Sequence, residues 1–343
     1  MHQLTYGDVK AAAHRISGRI RPVTLAPLDP DAVRTGPRDA LDDRPEQLCE
    51  VWLALEFMQH TGSFEARGAQ NFIQAHLDVG TLPDAGVAIA SGGRAGLACA
   101  WAARQQGVRA TAFLPTTAPR GKVAEFRDHG ADVRLAGTEY AEALAACDDF
   151  ATSTGALRPH AYDHPLFAAG AGTLLEEIHQ RIPDLDTVVV AVVGGGLFAG
   201  VATVAQHHGI RTVAVEPTNL RALEAGRPVD VPVGSIAAGS PGARRTSALA
   251  LATVQQDRVH SVLVPDTEIV HARQALWDHG RIAVEPGTAT ALAALLAPDQ
   301  HVPDRDLPTR PSTPSRSYRP ANGEKVCVVL CGANTHPRTL VRR

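Results

Sequence analysis

Thr187-Val188-Val189-Val190-Ala191-Val192-Val193-Gly194-Gly195-Gly196-Leu197 is the stretch from which the fold of this chain can be read. Its apolar, largely β-branched residues show no polar alternation, as expected of a strand buried on both faces, and the run stops at glycines that punctuate a turn. Residues 197–208 then continue as an Ala-rich amphipathic stretch of helical period. The same sequence of events recurs at Val87-Ala88-Ile89-Ala90, followed by a turn and an amphipathic stretch over residues 95–106.

Strand, glycine turn and helix in alternation specify an α/β fold with mainly parallel sheets flanked by helices. Further strands are expected over residues 110–114, 132–135, 212–215, 261–264 and 326–330, each bounded by Gly, Pro or charge. Ligands of such sheets bind beyond the carboxyl ends of the strands. That rule directs attention to the turns at residues 91–96, 193–197 and 331–334. Residues 297–322, rich in Pro, Arg, Ser and Asp, read as an exposed loop inserted before the final strand. No internal repeat is visible.

With 343 residues, the chain is long enough for one large or two medium domains and can bury a sizeable core. Its 44% hydrophobic and 20% charged residues are those of a soluble globular protein. A net charge of −3 gives no basic field for nucleic acid or an anionic membrane, which leaves a small-molecule partner as the expectation. The 5 cysteines lack paired C-x-x-C spacing, and no apolar run reaches the length of a membrane span. Together with an N-terminal stretch lacking an export signal, this points to the cytoplasm. No metal site is expected among the histidines, since His60, His160 and His164 lack ligand spacing.

Gln59-His60-Thr61-Gly62-Ser63-Phe64-Glu65-Ala66-Arg67-Gly68-Ala69 resembles the T-G-S-F-K-x-R-G-A signature of fold-type II pyridoxal-phosphate (PLP) enzymes, the serine/threonine dehydratase group. Ser91-Gly92-Gly93-Arg94-Ala95-Gly96 resembles that family's S-x-G-N loop facing the cofactor. Val193-Gly194-Gly195-Gly196-Leu197 resembles its tetraglycine phosphate loop, and Cys331-Gly332-Ala333-Asn334 its segment at the pyridine nitrogen. Val215-Glu216-Pro217 and Glu285-Pro286-Gly287 resemble further landmarks; Glu216 resembles a carboxylate that binds a structural cation in some family members, but the aspartate expected shortly after it is missing near Ala222, so no metal is expected there. The resemblance spans almost the whole chain. It implies a large domain of residues 1–80 and 159–343, a small domain of residues 81–158, a cleft between them and a homodimer.

The departures from the family fall where the cofactor would lie. Glu65 stands at the position of the lysine that links to PLP, and a carboxylate forms no imine, which excludes covalent PLP there. Lys10, Lys122 and Lys325, the lysines of the chain, offer no obvious substitute. Arg94 stands where the family's asparagine meets the ring hydroxyl. Val193 replaces the first glycine of the phosphate loop, where a β-branched residue resists positive φ angles. Gly92 occupies a position at which some racemases of the family carry a serine base.

These substitutions lead to the expectation of no cofactor, with non-covalent PLP left open. Glu65 and Arg94 are expected to face each other, as an acid/base group and an orienting or polarising cation, with His60 as auxiliary acid. Ser63, Ser91, Gly92, Gly93, Cys331 and Asn334 are expected to line the substrate, and Gly194, Gly195, Gly196 and Leu197 to form an anion loop. Ser91 alternatively caps the helix it precedes. Cys331 reads as a buried thiol rather than a nucleophile, and Lys122 as a solvated residue at a helix start. Three functions follow: a PLP-independent enzyme performing isomerisation, cyclisation, elimination or hydration on a small polar metabolite; an inactive pseudoenzyme with a regulatory or binding role; or an amino-acid lyase using non-covalent PLP.

Overall fold

The computed structural model describes residues 4–28, 49–159, 163–220, 223, 235–237, 247–296 and 317–333. From the N-terminal side these form α1 (Tyr6–Ile16), β1 (Leu25–Pro27), β2 (Glu50–Ala54), α2 (Glu65–Asp78), β3 (Val87–Ile89) and α3 (Arg94–Gln105). There follow β4 (Ala110–Leu114), α4 (Arg120–Asp128), β5 (Asp132–Leu135), α5 (Tyr140–Thr154), α6 (Pro165–Arg181), β6 (Thr187–Ala191) and α7 (Gly196–His208). The remaining elements are β7 (Arg211–Pro217), α8 (Ala248–Thr253), β8 (Val259–Val264), α9 (Asp266–Gly280), α10 (Pro286–Leu296) and β9 (Lys325–Val329).

The strands make two sheets, a 6-stranded one in the order β1-β2-β9-β6-β7-β8 and a 3-stranded one in the order β3-β4-β5. Every pairing is parallel except β1 with β2, so the fold is α/β with mostly parallel sheets flanked by helices. β6 is buried along its whole length, as its unbroken apolar run requires, with α7 and α6 on one side and α10 on the other. The smaller sheet and its helices take residues from Val87 to Thr154, while the larger sheet draws strands from both sides of that span. β9 lies between β2 and β6 and holds the two halves of the larger sheet together.

The strands expected from the sequence form within one or two residues of the expected bounds. β1 and β2 did not register in the sequence: β1 has 3 residues, and its terminal Pro27 suits only a sheet edge. The loop expected at residues 297–322 lies mostly outside the described residues. Its end departs from that expectation, because Tyr318 is buried and its backbone N–H donates to the Ala294 carbonyl at 2.8 Å. Glu324, buried below it, accepts from Thr187 at 2.6 Å. Among the described residues no helix is long and apolar enough to cross a membrane.

Candidate active site

The turn leading into α2 is built from consecutive left-handed residues, Thr61 at φ 59° and Gly62 at φ 74°. Glycine takes that conformation freely, whereas threonine does so only where its surroundings hold it. The chain then straightens at Ser63, which bridges Gly332 just after β9. On either side of that bridge the Phe64 N–H donates to the Cys331 carbonyl at 3.0 Å, and the Ala333 N–H donates to the Gly62 carbonyl at 3.1 Å. Glu65 is therefore fixed as the first residue of α2, where the helix dipole favours a carboxylate and offsets part of its burial.

Arg94 opens α3, and its Nε lies 3.5 Å from Glu65 Oε1. The same guanidinium is hydrogen-bonded to Glu285 Oε1, just ahead of α10. Both groups press against the backbone at Gly332, where an added Cβ would collide with the Arg94 guanidinium and come within 2.7 Å of Glu285 Oε1. The site is thus a carboxylate, guanidinium, carboxylate row across the mouth of the Ser63–Gly332 bridge. Glu65 is 3% exposed and Glu285 16% exposed at the side chain, so the row is buried at one end and reaches solvent at the other. Burial lifts the Glu285 carboxyl above the ordinary glutamate range; Arg94 pulls against that rise and the charge of Glu65 adds to it.

Thr288 supports this row from α10. Its hydroxyl donates to the Gly332 carbonyl at 2.7 Å and lies 3.4 Å from Cys331 Sγ. Burial pushes the Cys331 thiol up to about 11, which matches its reading as a packed thiol rather than a nucleophile. Glu65 Oε2 and the Ser63 hydroxyl are buried without a hydrogen-bond partner.

Several expected residues take other positions or roles. His60 stacks on Trp101 of α3 with ring centroids 4.4 Å apart, and burial together with Arg21 lowers its pKa, so it packs as a neutral ring. It supplies no partner for Glu65 Oε2. Ser91 does not cap α3, whose N-cap is Gly93 with no side-chain bond. Its hydroxyl instead accepts from the Gly93 N–H at 3.3 Å within the loop. Lys122 is not merely solvated: its Nζ donates to the Gly92 carbonyl at 2.8 Å and braces that loop. His164 caps α6 by accepting the Leu166 N–H at 3.2 Å, and Glu216 accepts the Leu223 N–H. Asn334, His160 and Ala222 lie outside the described residues.

The glycine loop carries its strain at a single position. Gly195 has φ 97°, and a Cβ there would meet Ala250 Cβ at 2.6 Å and Ser247 Oγ at 2.8 Å. Among the described residues only Thr61 and Arg281 are non-glycines at positive φ, so Val193 bears none of the expected backbone strain. Gly194 accepts from the Ser247 N–H at 3.1 Å, Gly196 begins α7, and Leu197 is buried behind it. The loop approaches the first turn of α10 through Val193, whose Cγ2 lies 3.9 Å from the place a Cβ on Gly287 would take.

Glu285 was visible in the sequence only as part of Glu285-Pro286-Gly287. Nothing local marks it as a site residue, because its partner Arg94 is 191 positions away.

The chain is 34% identical over 294 residues to the human protein "Serine dehydratase-like", covering 83% of this chain and 85% of that one. It is 33% identical over 296 residues to the L-threonine ammonia-lyase of Geobacter sulfurreducens, covering 84% of this chain and 68% of that one. The solved structure of maize serine racemase superposes with a TM-score of 0.81 at 25% identity, covering 99% of this chain and 96% of that one. The family described as "Pyridoxal-phosphate dependent enzyme" matches residues 39–307, well over half of the chain. With threonine and serine dehydratase-like relatives on this scale and the fold to match, the protein belongs to the fold-type II family of pyridoxal-phosphate dependent enzymes.

Proposed function

We infer that this member of the family works without PLP, as an enzyme of acid/base chemistry on a small polar metabolite in the cleft at Glu65. The observation that carries the reading is the row Glu65, Arg94, Glu285, set where the resemblance puts the cofactor ring. The residues present do not fit an imine-linked PLP. Glu65 offers no amine, and the Arg94 guanidinium lies against Gly332 in the segment that resembles the family's pyridine-nitrogen contact. The glycine loop keeps the positive φ at Gly195 and would still suit an anionic group.

Glu285, whose carboxyl is lifted and whose side chain reaches solvent, takes the role of proton donor. Glu65, buried at the inner end, takes the role of base. Arg94, held between them, orients or polarises a carbonyl or carboxylate of the substrate. This set suits isomerisation, cyclisation, elimination or hydration, each of which moves protons between neighbouring atoms.

Two measurements test the reading. The purified protein is assayed for PLP by visible absorbance and mass spectrometry, and tightly bound PLP overturns the cofactor-free reading. A panel of small amino and carbonyl metabolites is then incubated with the protein in D2O and followed by NMR for solvent deuterium incorporation. Exchange or turnover that falls about 10²- to 10⁴-fold in Glu285→Gln supports the acid/base assignment. A panel left untouched favours a filled cleft, in which the row is a structural ion-pair cluster and the protein a binding or regulatory homologue.

A further inference from the structure

We propose that the buried end of the Glu65, Arg94, Glu285 row is a receptor for a cationic nitrogen, an ammonium or amidinium head, gripped by Glu65 Oε2 and the Ser63 hydroxyl. This rests on the reading that the cleft takes a small-molecule substrate, and it names the chemistry that substrate must carry.

The argument starts from two atoms. Ser63 is 0% exposed and Glu65 3% exposed, and both Ser63 Oγ and Glu65 Oε2 lack a hydrogen-bond partner. Polar atoms buried and unpaired in this way cost about 1–3 kcal/mol each, and more where charge is involved. They stand two residues apart on the turn that the Gly332 bridge holds rigid, so neither can readily swing out to water.

The kind of ligand follows from what those atoms can accept. An ionised carboxylate only accepts hydrogen bonds, while a serine hydroxyl accepts or donates, so a group that satisfies both must bring N–H or O–H donors. Charge then separates the candidates. Arg94 meets Glu65 only through Oε1, at 3.5 Å, and Oε2 has no partner, so an ionised Glu65 keeps negative charge in excess at that oxygen whether or not Glu285 holds its proton. A second anion would meet that excess in a poorly solvated place, and a neutral alcohol would leave it uncompensated. An ammonium supplies three donors and the missing positive charge together. The Arg94 guanidinium stays on the far oxygen, Oε1, 3.5 Å away, so the two cations take opposite faces of the carboxylate. A bare metal cation suits the place less well, because no cluster of three or more acidic, histidine or cysteine ligands occurs among the described residues.

The experiment uses the full chain and four probes of one size: glycinamide, which is cationic near neutral pH, its neutral isosteres propanamide and glycolamide, and anionic glycolate. Binding is followed by ligand-observed NMR and calorimetry at fixed ionic strength. Glycinamide is expected to bind at least about tenfold more tightly than any of the other three, a preference lost in Glu65→Gln and weakened severalfold in Ser63→Ala. Equal binding of propanamide or glycolate, unchanged glycinamide affinity in Glu65→Gln, competition by magnesium or potassium chloride beyond the ionic-strength effect, or no binding of any probe overturns the receptor. Should Glu65→Gln not fold, as judged by circular dichroism, the ranking of the four probes on the unmodified protein still decides. Exchange of the glycinamide Cα protons with D2O tests the acid/base reading separately. Cation-selective binding without exchange counts against the chemistry and leaves the receptor standing; exchange without cation preference does the reverse.

Discussion

Arg67 grips Glu56 at two points inside the protein, Nε to Oε1 at 2.7 Å and NH2 to Oε2 at 3.0 Å, with the two side chains 0% and 1% exposed. Glu177 and the Thr173 hydroxyl take the remaining NH1 contacts at 2.7 and 3.2 Å. This ties the first turn of α2, two residues past Glu65, to α6 and to the short helical turn that follows β2. Such a pair is strongly coupled, since removing one partner leaves the other buried and charged. Arg67→Ala is expected to lower the unfolding free energy by about 3–5 kcal/mol in urea denaturation, whereas Arg67→Met combined with Glu56→Leu recovers most of that loss. If the single and double variants are equally unstable, the ion pair is not what holds α2 in place.

The cofactor preference is expected to follow Glu65 and Arg94. Titrated with PLP, the unmodified protein should develop no visible imine band. Glu65→Lys combined with Arg94→Asn should develop one, and mass spectrometry after borohydride reduction should find the adduct at position 65. An adduct on Lys122 or Lys325 in the unmodified protein would contradict the prediction.

Glu285 sets a pH dependence whose sign is fixed. Its carboxyl binds its proton more tightly in the folded chain than the roughly 4.3 of an unfolded glutamate. Between that value and its raised folded value the folded state carries the extra proton. Its stabilising contribution is therefore complete below about pH 4.3 and is lost as pH rises through the folded pKa, at up to about 1.4 kcal/mol per pH unit. Glu285→Gln, which remains uncharged throughout, should flatten this slope in melting curves taken across the window. A wild-type profile already flat there would show that Arg94 neutralises the rise in full.

Gly195 and Val193 should respond in opposite ways to the exchange of glycine and side chain. Gly195→Ala adds a methyl at positive φ against Ala250 and Ser247, and is expected to cost more than about 1 kcal/mol. Val193→Gly relieves no backbone strain and should cost roughly 0.5–1 kcal/mol through added freedom in the unfolded chain. Denaturant midpoints of the two variants decide it; stabilisation by Val193→Gly would mean that the loop is strained where its backbone angles are ordinary.

The parallel sheets were legible because β3, β4, β6, β7 and β9 are built around short apolar runs closed by turns, the pattern of a buried strand. The facing of Glu65 and Arg94 was also legible, through their places in motifs that resemble one family. The third member, Glu285, was not: no local pattern records that the residue before α10 arrives beside the residue that opens α3. The roles of Ser91 and Lys122 were misread for a related reason. Both are decided by which backbone group lies within reach, Gly93 N–H for the serine and Gly92 carbonyl for the lysine, and that depends on loop shape rather than residue type. Val193 was misread because a family loop of glycines suggests that all of them need left-handed angles, while only Gly195 takes one.

The position of β9 has a consequence for how the molecule comes into being. It is the last described strand of the chain, yet in the larger sheet it sits between β2 and β6, which are not paired with one another. During synthesis the ribosome delivers every other described strand first, and until Lys325–Val329 emerges the two halves of that sheet have no hydrogen-bonded seam between them. The same arrival brings Gly332 to Ser63. Joining the sheet and closing the site are therefore one folding event, so a nascent chain stalled before Lys325 should remain a client of chaperones however much of its helical structure has already formed.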